Sequence, residues 1–150
     1  MMSQKIWNVY LSGEIHSDWR ERIIEGAKAQ GLAIEFNSAV TDHDASDMVG
    51  VNILGTEEDN FWRDRKASGI NSIRTSTHIK QADVVVVRFG PKYKQWNAAF
   101  DAGFAVASGK PIITLHDAEH DHPLKEVDEA AKATCRHPEQ VVEILSYLLS

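Results

Sequence analysis

Four consecutive valines, Val84 to Val87, constrain this chain more than any other feature. Successive side chains of a strand face opposite sides of the sheet, so a strand with one wet face alternates apolar and polar residues. A run that is apolar on both faces needs cover on both. That condition is met by an inner strand of a parallel sheet with helices packed on each side. The stretch from Ala82 to Phe89 is therefore predicted to be a central strand, and the rest of the chain has to supply its cover.

The flanking sequence alternates strand and helix patterns. Ile6 to Leu11 reads as a first strand ending in Ser12-Gly13. A helix follows, capped by Ser17 with Asp18 in its first turn; Trp19, Ile23 and Ala27 recur every four residues, and Gly31 stops it. Leu32 to Phe36 is the second strand. Residues 38–60 are polar and acidic and are broken by Gly50 and Gly55, which predicts an irregular excursion. Short helices are expected over Phe61 to Lys66 and over Thr75 to Gln81. Beyond the valines, Trp96, Ala99, Phe100, Gly103, Phe104 and Ala107 trace a stripe at helical spacing, expected to face the core. Pro111 to Leu115 is the next strand, helical patterns fill 123–133, and a short fifth strand falls near Thr134-Cys135. The last helix starts at Pro138, with Val141, Val142, Leu145, Leu148 and Leu149 as its docking face. This pattern gives an α/β fold with a single domain over 1–150: a flavodoxin-like (Rossmann-like), doubly wound, five-stranded parallel sheet of order 2-1-3-4-5.

Composition removes several functions. With 16 basic and 22 acidic residues the net charge is −6, the wrong sign for a non-specific binder of nucleic-acid polymers or anionic membranes. One cysteine, Cys135, forms no internal disulfide. The valine run is far short of the ~20 apolar residues that span a bilayer, and Met1 to Lys5 is too polar for a signal-peptide core. A cytoplasmic protein without membrane contact is the expectation.

In doubly wound folds the ligand sits beyond the carboxyl ends of the strands, where the strand order reverses. Here that means residues 12–18 and 89–97. The first loop, Ser12-Gly13-Glu14-Ile15-His16-Ser17-Asp18, leads into a helix whose free amides could hold a phosphate or a sugar hydroxyl; a plain strand-to-helix turn is an equal reading. Neither a dinucleotide glycine fingerprint nor a Walker loop is present. The second loop, Arg88 to Asn97, runs into a helix on which Asn97 and Asp101 share a face, distinct from the aromatic stripe. Asp101 is either a nucleophile or base at the cleft, or a solvated aspartate favoured by the helix dipole. As a nucleophile that shares no face with the core stripe, it should be truncated with a change in stability of less than ~0.5 kcal/mol. Tyr10, Trp62, Tyr93 and Trp96 could stack on a base, though Trp96 on the stripe is expected in the core. Asp42-His43-Asp44 and His116 to His122 are rich in metal-ligand types but lack a tight zinc spacing; both are expected to be charged surface loops, with no metal. No G-x-S-x-G elbow is present.

Val9-Tyr10-Leu11-Ser12-Gly13, the strand Ala82 to Val87, and Ala99-Phe100-Asp101-Ala102-Gly103 through Gly109-Lys110-Pro111 together resemble the nucleoside 2-deoxyribosyltransferases and the related deoxynucleotide N-hydrolases. With Arg88-Phe89-Gly90 and Gln95-Trp96-Asn97 included, the chain is most similar to the YtoQ group of that superfamily. The resemblance implies a carboxylate that attacks the anomeric carbon of a nucleoside and a first-strand tyrosine that positions it, with no cofactor. Carried over, Asp101 takes the place of the family's glutamate and Tyr10 that of the tyrosine. Ser12, Gly13, Glu14, His16, Arg88, Gly90, Gln95 and Asn97 are then candidates for the substrate pocket. Asp101 is one methylene shorter than the glutamate, and Thr75 falls where a further acidic residue is typical. His16 stands where the nucleotide hydrolases carry a basic residue. Glu14 would repel a 5′-phosphate, whereas Arg88 could restore a phosphate site. The resemblance also implies a homodimer or larger homo-oligomer that completes its pockets across subunits, with aromatic anchors around Phe61-Trp62 and Tyr93 to Phe100. The other class of function open to this sequence is a non-catalytic nucleotide- or sugar-binding module on the same fold.

Overall fold

The computed structural model describes residues 4–92 and 94–150; Met1 to Ser3 and Tyr93 lie outside the described residues, and so does the reading of Tyr93 as a stacking or interface residue. The strands are β1 (Trp7–Gly13), β2 (Ile34–Ser38), β3 (Val84–Phe89), β4 (Ile112–His116) and β5 (Ala133–Cys135). They form one parallel sheet of order β2-β1-β3-β4-β5, with β3 between β1 and β4. The helices are α1 (Trp19–Ala29), α2 (His43–Leu54), α3 (Asn60–Gln81), α4 (Trp96–Ala107), α5 (Lys125–Ala130) and α6 (Pro138–Leu148). Val84 to Val87 are all buried. Val84 and Val86 join Leu11, Ile23, Val141 and Leu145 under α1 and α6, while Val85 and Val87 join Tyr10, Ala98, Ala102 and Ala105 on the α3–α4 side. Among the described residues no helix is long and apolar enough to cross a membrane.

Five details depart from the sequence-based expectations. Residues 38–60 are not an irregular excursion: α2 occupies most of them, capped by Asp42, whose carboxylate accepts from the Ala45 amide at 3.0 Å. Gly50 lies inside α2 and is a contact rather than a break, because a Cβ there would meet Lys66 Cβ of α3 at 2.4 Å. The two short helices are one continuous α3 of 22 residues. Its Ser- and Thr-rich middle has low helix propensity. Packing overrides this, and the hydroxyls of Ser68, Ser72, Ser76 and Thr77 bond back onto carbonyls of the preceding turn. At the first loop, Asp18 and not Ser17 takes the cap position of α1; the Ser17 hydroxyl donates instead to Glu14. Toward the C-terminus, α5 covers only part of 123–133, and Leu148 and Leu149 lie outside the docked face of α6, which is Val141, Val142 and Leu145.

The fifth departure matters for function. The aromatic stripe of α4 faces outward, with Trp96 74% and Phe100 73% exposed, while Ala98, Ala102 and Ala105 face the sheet. Both stripes have helical spacing, so periodicity alone does not choose between them. A strand of valines already fills the space beneath the helix, and only small side chains let α4 approach it closely. This rotation puts Asp101 at the border of the buried face, beside Ala98 and Ala102.

β1 ends at Gly13, whose φ of +113° is a conformation that residues with a Cβ rarely adopt, and a Cβ there would collide with the Arg88 carbonyl of β3 at 2.1 Å. Gly13→Ala is expected to destabilise by about 2 kcal/mol or more, through backbone strain plus overpacking. Urea denaturation checks this; an unchanged midpoint would show that the β1–β3 edge adapts.

Candidate active site

On β1, alternation sends Tyr10 and Ser12 to the α3–α4 side of the sheet. Both are buried. The Ser12 hydroxyl donates to Asp101 Oδ2 of α4 at 2.7 Å, a bond spanning 89 residues of chain. Burial raises the Asp101 carboxyl above its ordinary value, and the bond from Ser12 partly opposes this by favouring the charged form. The Tyr10 ring stacks on His78 of α3, with centroids 6.1 Å apart and planes 18° from parallel. Its hydroxyl makes no hydrogen bond of good geometry among the described residues, with Thr75 at the margin of hydrogen-bond range. Burial lifts the phenol above its usual range; Thr75 opposes the rise and the charge of Asp101 adds to it. A buried hydroxyl with no well-formed bond costs up to about 1–3 kcal/mol, which leaves Tyr10 able to donate to a further acceptor.

The first loop is held rigidly by two residues whose role the sequence reading missed. Arg20, 4% exposed, donates to the carbonyls of Leu11, Gly13 and Glu14, and the Trp19 indole also donates to the Glu14 carbonyl, at 2.7 Å. The available signal was a charge on an apolar stripe, since Arg20, Ile23 and Ala27 share one face of α1. Glu14 is itself buried; its carboxylate accepts from the His16 amide at 3.2 Å and the Ser17 hydroxyl at 3.0 Å.

Asp101 opens on a cleft of about 470 Å³ between α3 and α4. One wall is hydroxyls and an amide from α3 (Asn71, Ser72, Thr75), and the other is Asn97, Phe100 and Asp101 of α4. The α3 wall was hidden from the sequence because that helix reads as broken. Of the candidate residues, Asn97 and Asp101 line this cleft, while Ser12, bonded to Asp101, and Tyr10 are buried on the same side of the sheet. Gly90 and Gln95 line a neighbouring cavity of about 490 Å³ on the other flank of α4, with Phe89, Trp96 and His120. Arg88 alternates with Phe89 along β3 and so falls on the α1–α6 side, with its guanidinium 3.5 Å from the Leu115 carbonyl. Gly13 and Glu14 build the loop, and His16 is exposed on it.

The His116 to His122 segment is not simply a surface loop. His116 ends β4 fully buried, its Nε2 2.8 Å from Asp128 Oδ2 and its Nδ1 2.8 Å from the Asp117 carbonyl oxygen. His116, Asp121 and Asp128 place ligand-type atoms within 4.8 Å of one another. Each already has a protein partner: Arg136 clamps Asp121 at 2.6 and 3.0 Å, and Asp128 accepts from Thr114 at 2.8 Å. The cluster acts as a network tying β4, α5 and β5 together.

A family model described as nucleoside 2-deoxyribosyltransferase YtoQ matches residues 10–149. The chain belongs to this family. An uncharacterized protein YtoQ from Bacillus subtilis (strain 168) is 46% identical over 140 residues, covering 93% of this chain and 95% of the relative. Among solved structures, a 2-deoxyribosyltransferase from Bacillus psychrosaccharolyticus aligns with a TM-score of 0.51 at 17% identity, covering 90% of both chains. A conserved protein from Enterococcus faecalis V583 aligns at 0.63 and 13% identity, over 96% of this chain and 99% of the other. A CheY-like receiver domain from Methanospirillum hungatei JF-1 aligns at 0.53 and 8% identity, over 97% and 94%. The structural likenesses support the flavodoxin-like fold; the family match places the chain beside the deoxyribosyltransferases.

Because Asp101 borders the core and binds buried Ser12, its truncation is no longer expected to be silent. Asp101→Ala strands the Ser12 hydroxyl and is expected to cost about 1–3 kcal/mol. NMR titration should place the wild-type Asp101 carboxyl above the ordinary aspartate value of about 3.9 and move it higher still in Ser12→Ala. A downward move would mean that the bond does not favour the charged form.

Proposed function

We propose that this protein cleaves or transfers the N-glycosidic bond of a (deoxy)nucleoside, with Asp101 as nucleophile and Tyr10 orienting it. The observation that supports this most is the 2.7 Å bond from Ser12 to Asp101 Oδ2, which fixes a partly buried carboxylate on the wall of a cleft lined with hydroxyls and amides. An Asp101 oxygen attacks the anomeric carbon as the bond to the base breaks; the base leaves with the electron pair and takes a proton from solvent. The glycosyl ester then yields to water, giving the free sugar, or to the nitrogen of a second base, and Asp101 is released as the carboxylate. Ser12 compensates for the shorter side chain by restricting its rotamers, and catalytic geometry is sensitive at about the 1 Å level.

A second reading, a binding module without turnover, draws support from one feature: no second carboxylate lines the cleft among the described residues, leaving no side-chain acid there for the departing base. An assay for free base across ribo- and deoxyribonucleosides separates the two. Asp101→Asn should reduce release to background, and Asp101→Glu should retain or raise it. Tyr10→Phe should slow it about 10- to 1000-fold. Binding without any base release in the wild type would favour the module. Unchanged release in Asp101→Asn would remove Asp101 from the chemistry.

We also propose that the chain works as a homodimer or larger homo-oligomer. Support comes from exposed apolar side chains near the cleft and at the α2–α3 end, among them Trp96, Phe100, Phe61, Trp62, Ile53 and Leu54, more than a solitary subunit usually displays. Sedimentation at micromolar concentration should show an assembly; a monomer alone would contradict it.

A further inference from the structure

We propose that the cavity on the other flank of α4 from the Asp101 cleft is a second ligand site, which takes a flat aromatic ring carrying a single carboxylate. The inference does not use the assignment of Asp101 and stands or falls apart from it.

The cavity lies at the carboxyl end of the sheet, between α4 and the start of α5. Its volume of about 490 Å³ suits a small organic molecule. Most of the lining is apolar. Trp96 and Ala99 of α4 form one wall, Leu124 and Val127 at α5 form the other, and Phe89 contributes from the end of β3. Three rings, those of Phe89, Trp96 and His120, border this one space, and aromatic faces and edges are well met by a further ring. The Trp96 indole in particular is left largely in water, at 74% exposed, so a ring laid against it removes apolar surface from solvent.

The polar lining selects the sign of the ligand. No carboxylate lines the cavity among the described residues, although the chain as a whole has a net charge of −6. Lys94 stands exposed at the rim with its Nζ 5.6 Å from the centre of the Trp96 ring, and it forms no ion pair among the described residues. α4 begins at the same rim without a side-chain cap, so the positive end of its dipole favours the same charge. His120 supplies a second contact. Its Nε2 is buried and makes no hydrogen bond among the described residues; the Glu119 carboxylate, at 3.7 Å, is beyond bonding range. The ring is also held in place. It packs edge-on against His116 with centroids 6.4 Å apart, and His116 is itself fixed by Asp128 and the Asp117 carbonyl. The His120 amide donates to the Asp117 carbonyl at 3.0 Å, and its carbonyl accepts from the Leu124 amide at 3.1 Å. With its proton on Nε2, this imidazole donates to the anionic end of a ligand at no cost in ordering itself. A neutral or cationic molecule of the same shape fills the apolar part and leaves the charge of Lys94 unmet.

NMR titration tests this with three ligands of one shape: 2-naphthoate, 2-naphthylmethanol and 2-naphthylmethylamine. Naphthoate should bind wild type saturably, moving the Leu124 and Val127 methyl signals and the His120 ring signals while leaving those of Asn71 and Thr75 in place. Its affinity should exceed that of the alcohol by ~10-fold, and that of the amine by more. Lys94→Gln and His120→Phe should each shrink the preference for naphthoate and leave the affinity for the alcohol unchanged. Val127→Trp fills the cavity and should abolish binding of both. Equal affinity for the three ligands overturns the proposal, as does an unchanged preference in both Lys94→Gln and His120→Phe. Shifts centred on Phe61, Trp62 or Phe100 would mean adsorption to exposed rings elsewhere, and also overturn it. So would Leu124 and Val127 signals that move with protein concentration and not with naphthoate, since a second copy of the chain would then fill the cavity. If Val127→Trp fails to fold, the ranking of the three ligands and the location of the shifts in wild type still decide.

Discussion

The burial of β3 on both faces is the constraint from which the rest of the site descends. Four valines fill the space above and below the strand, so α4 can lie close only by turning its alanines inward. That turn exposes the aromatic stripe and carries Asp101 to the edge of the core, where the end of β1 delivers Ser12. A long-range hydrogen bond between neighbouring elements then joins strand and helix at the point where the strand order reverses. Core packing and site geometry are therefore one arrangement, and bulkier residues at Ala98 or Ala102 would displace the carboxylate as well as the helix.

The site concentrates polar groups that are awkward for a folded protein. Asp101 is partly buried with its pKa raised by desolvation, Tyr10 is buried with a hydroxyl that makes no well-formed bond, and Arg20 is a buried guanidinium spent on backbone carbonyls. Perturbed groups of this kind gather where a protein binds or reacts. The raised carboxyl has a consequence for stability. Its folded-state value lies above the unfolded one, so its contribution is fully present below the unfolded value and is lost as pH rises through the folded one. Once ionised, Asp101 is thus held against its own desolvation, by Ser12 and by the packing of α4. Catalytic groups commonly carry such a cost.

Much of the architecture was legible in the sequence because its signals are local. The valine run, the Ser12-Gly13 strand end, the Pro138 helix start and the β2-β1-β3-β4-β5 order all follow from pattern and turn chemistry. What was not legible depended on tertiary contact. Gly50 reads as a breaker until α3 lies against it, the Ser- and Thr-rich middle of α3 reads as a gap until its hydroxyls bond back to the helix, and α4 carries two stripes of equal periodicity. The same limit applies to the site. Tyr10, Ser12, Asn97 and Asp101 could be named from sequence, but the α3 wall and the Arg20 clamp required the fold. Glu14 looked like a charge exposed to substrate, whereas it is an internal anion of the loop.

The central claim is that the carboxylate held by Ser12 is the group that meets the anomeric carbon. The most direct measurement is mass spectrometry of rapidly quenched protein incubated with deoxynucleosides, followed by digestion after lysine and arginine. The account predicts a deoxyribosyl mass increment on the Gln95–Lys125 peptide, mapped to Asp101 by fragmentation and absent from Asp101→Asn. Base release with no adduct on that peptide, or an adduct on another residue that persists in Asp101→Asn, would contradict it.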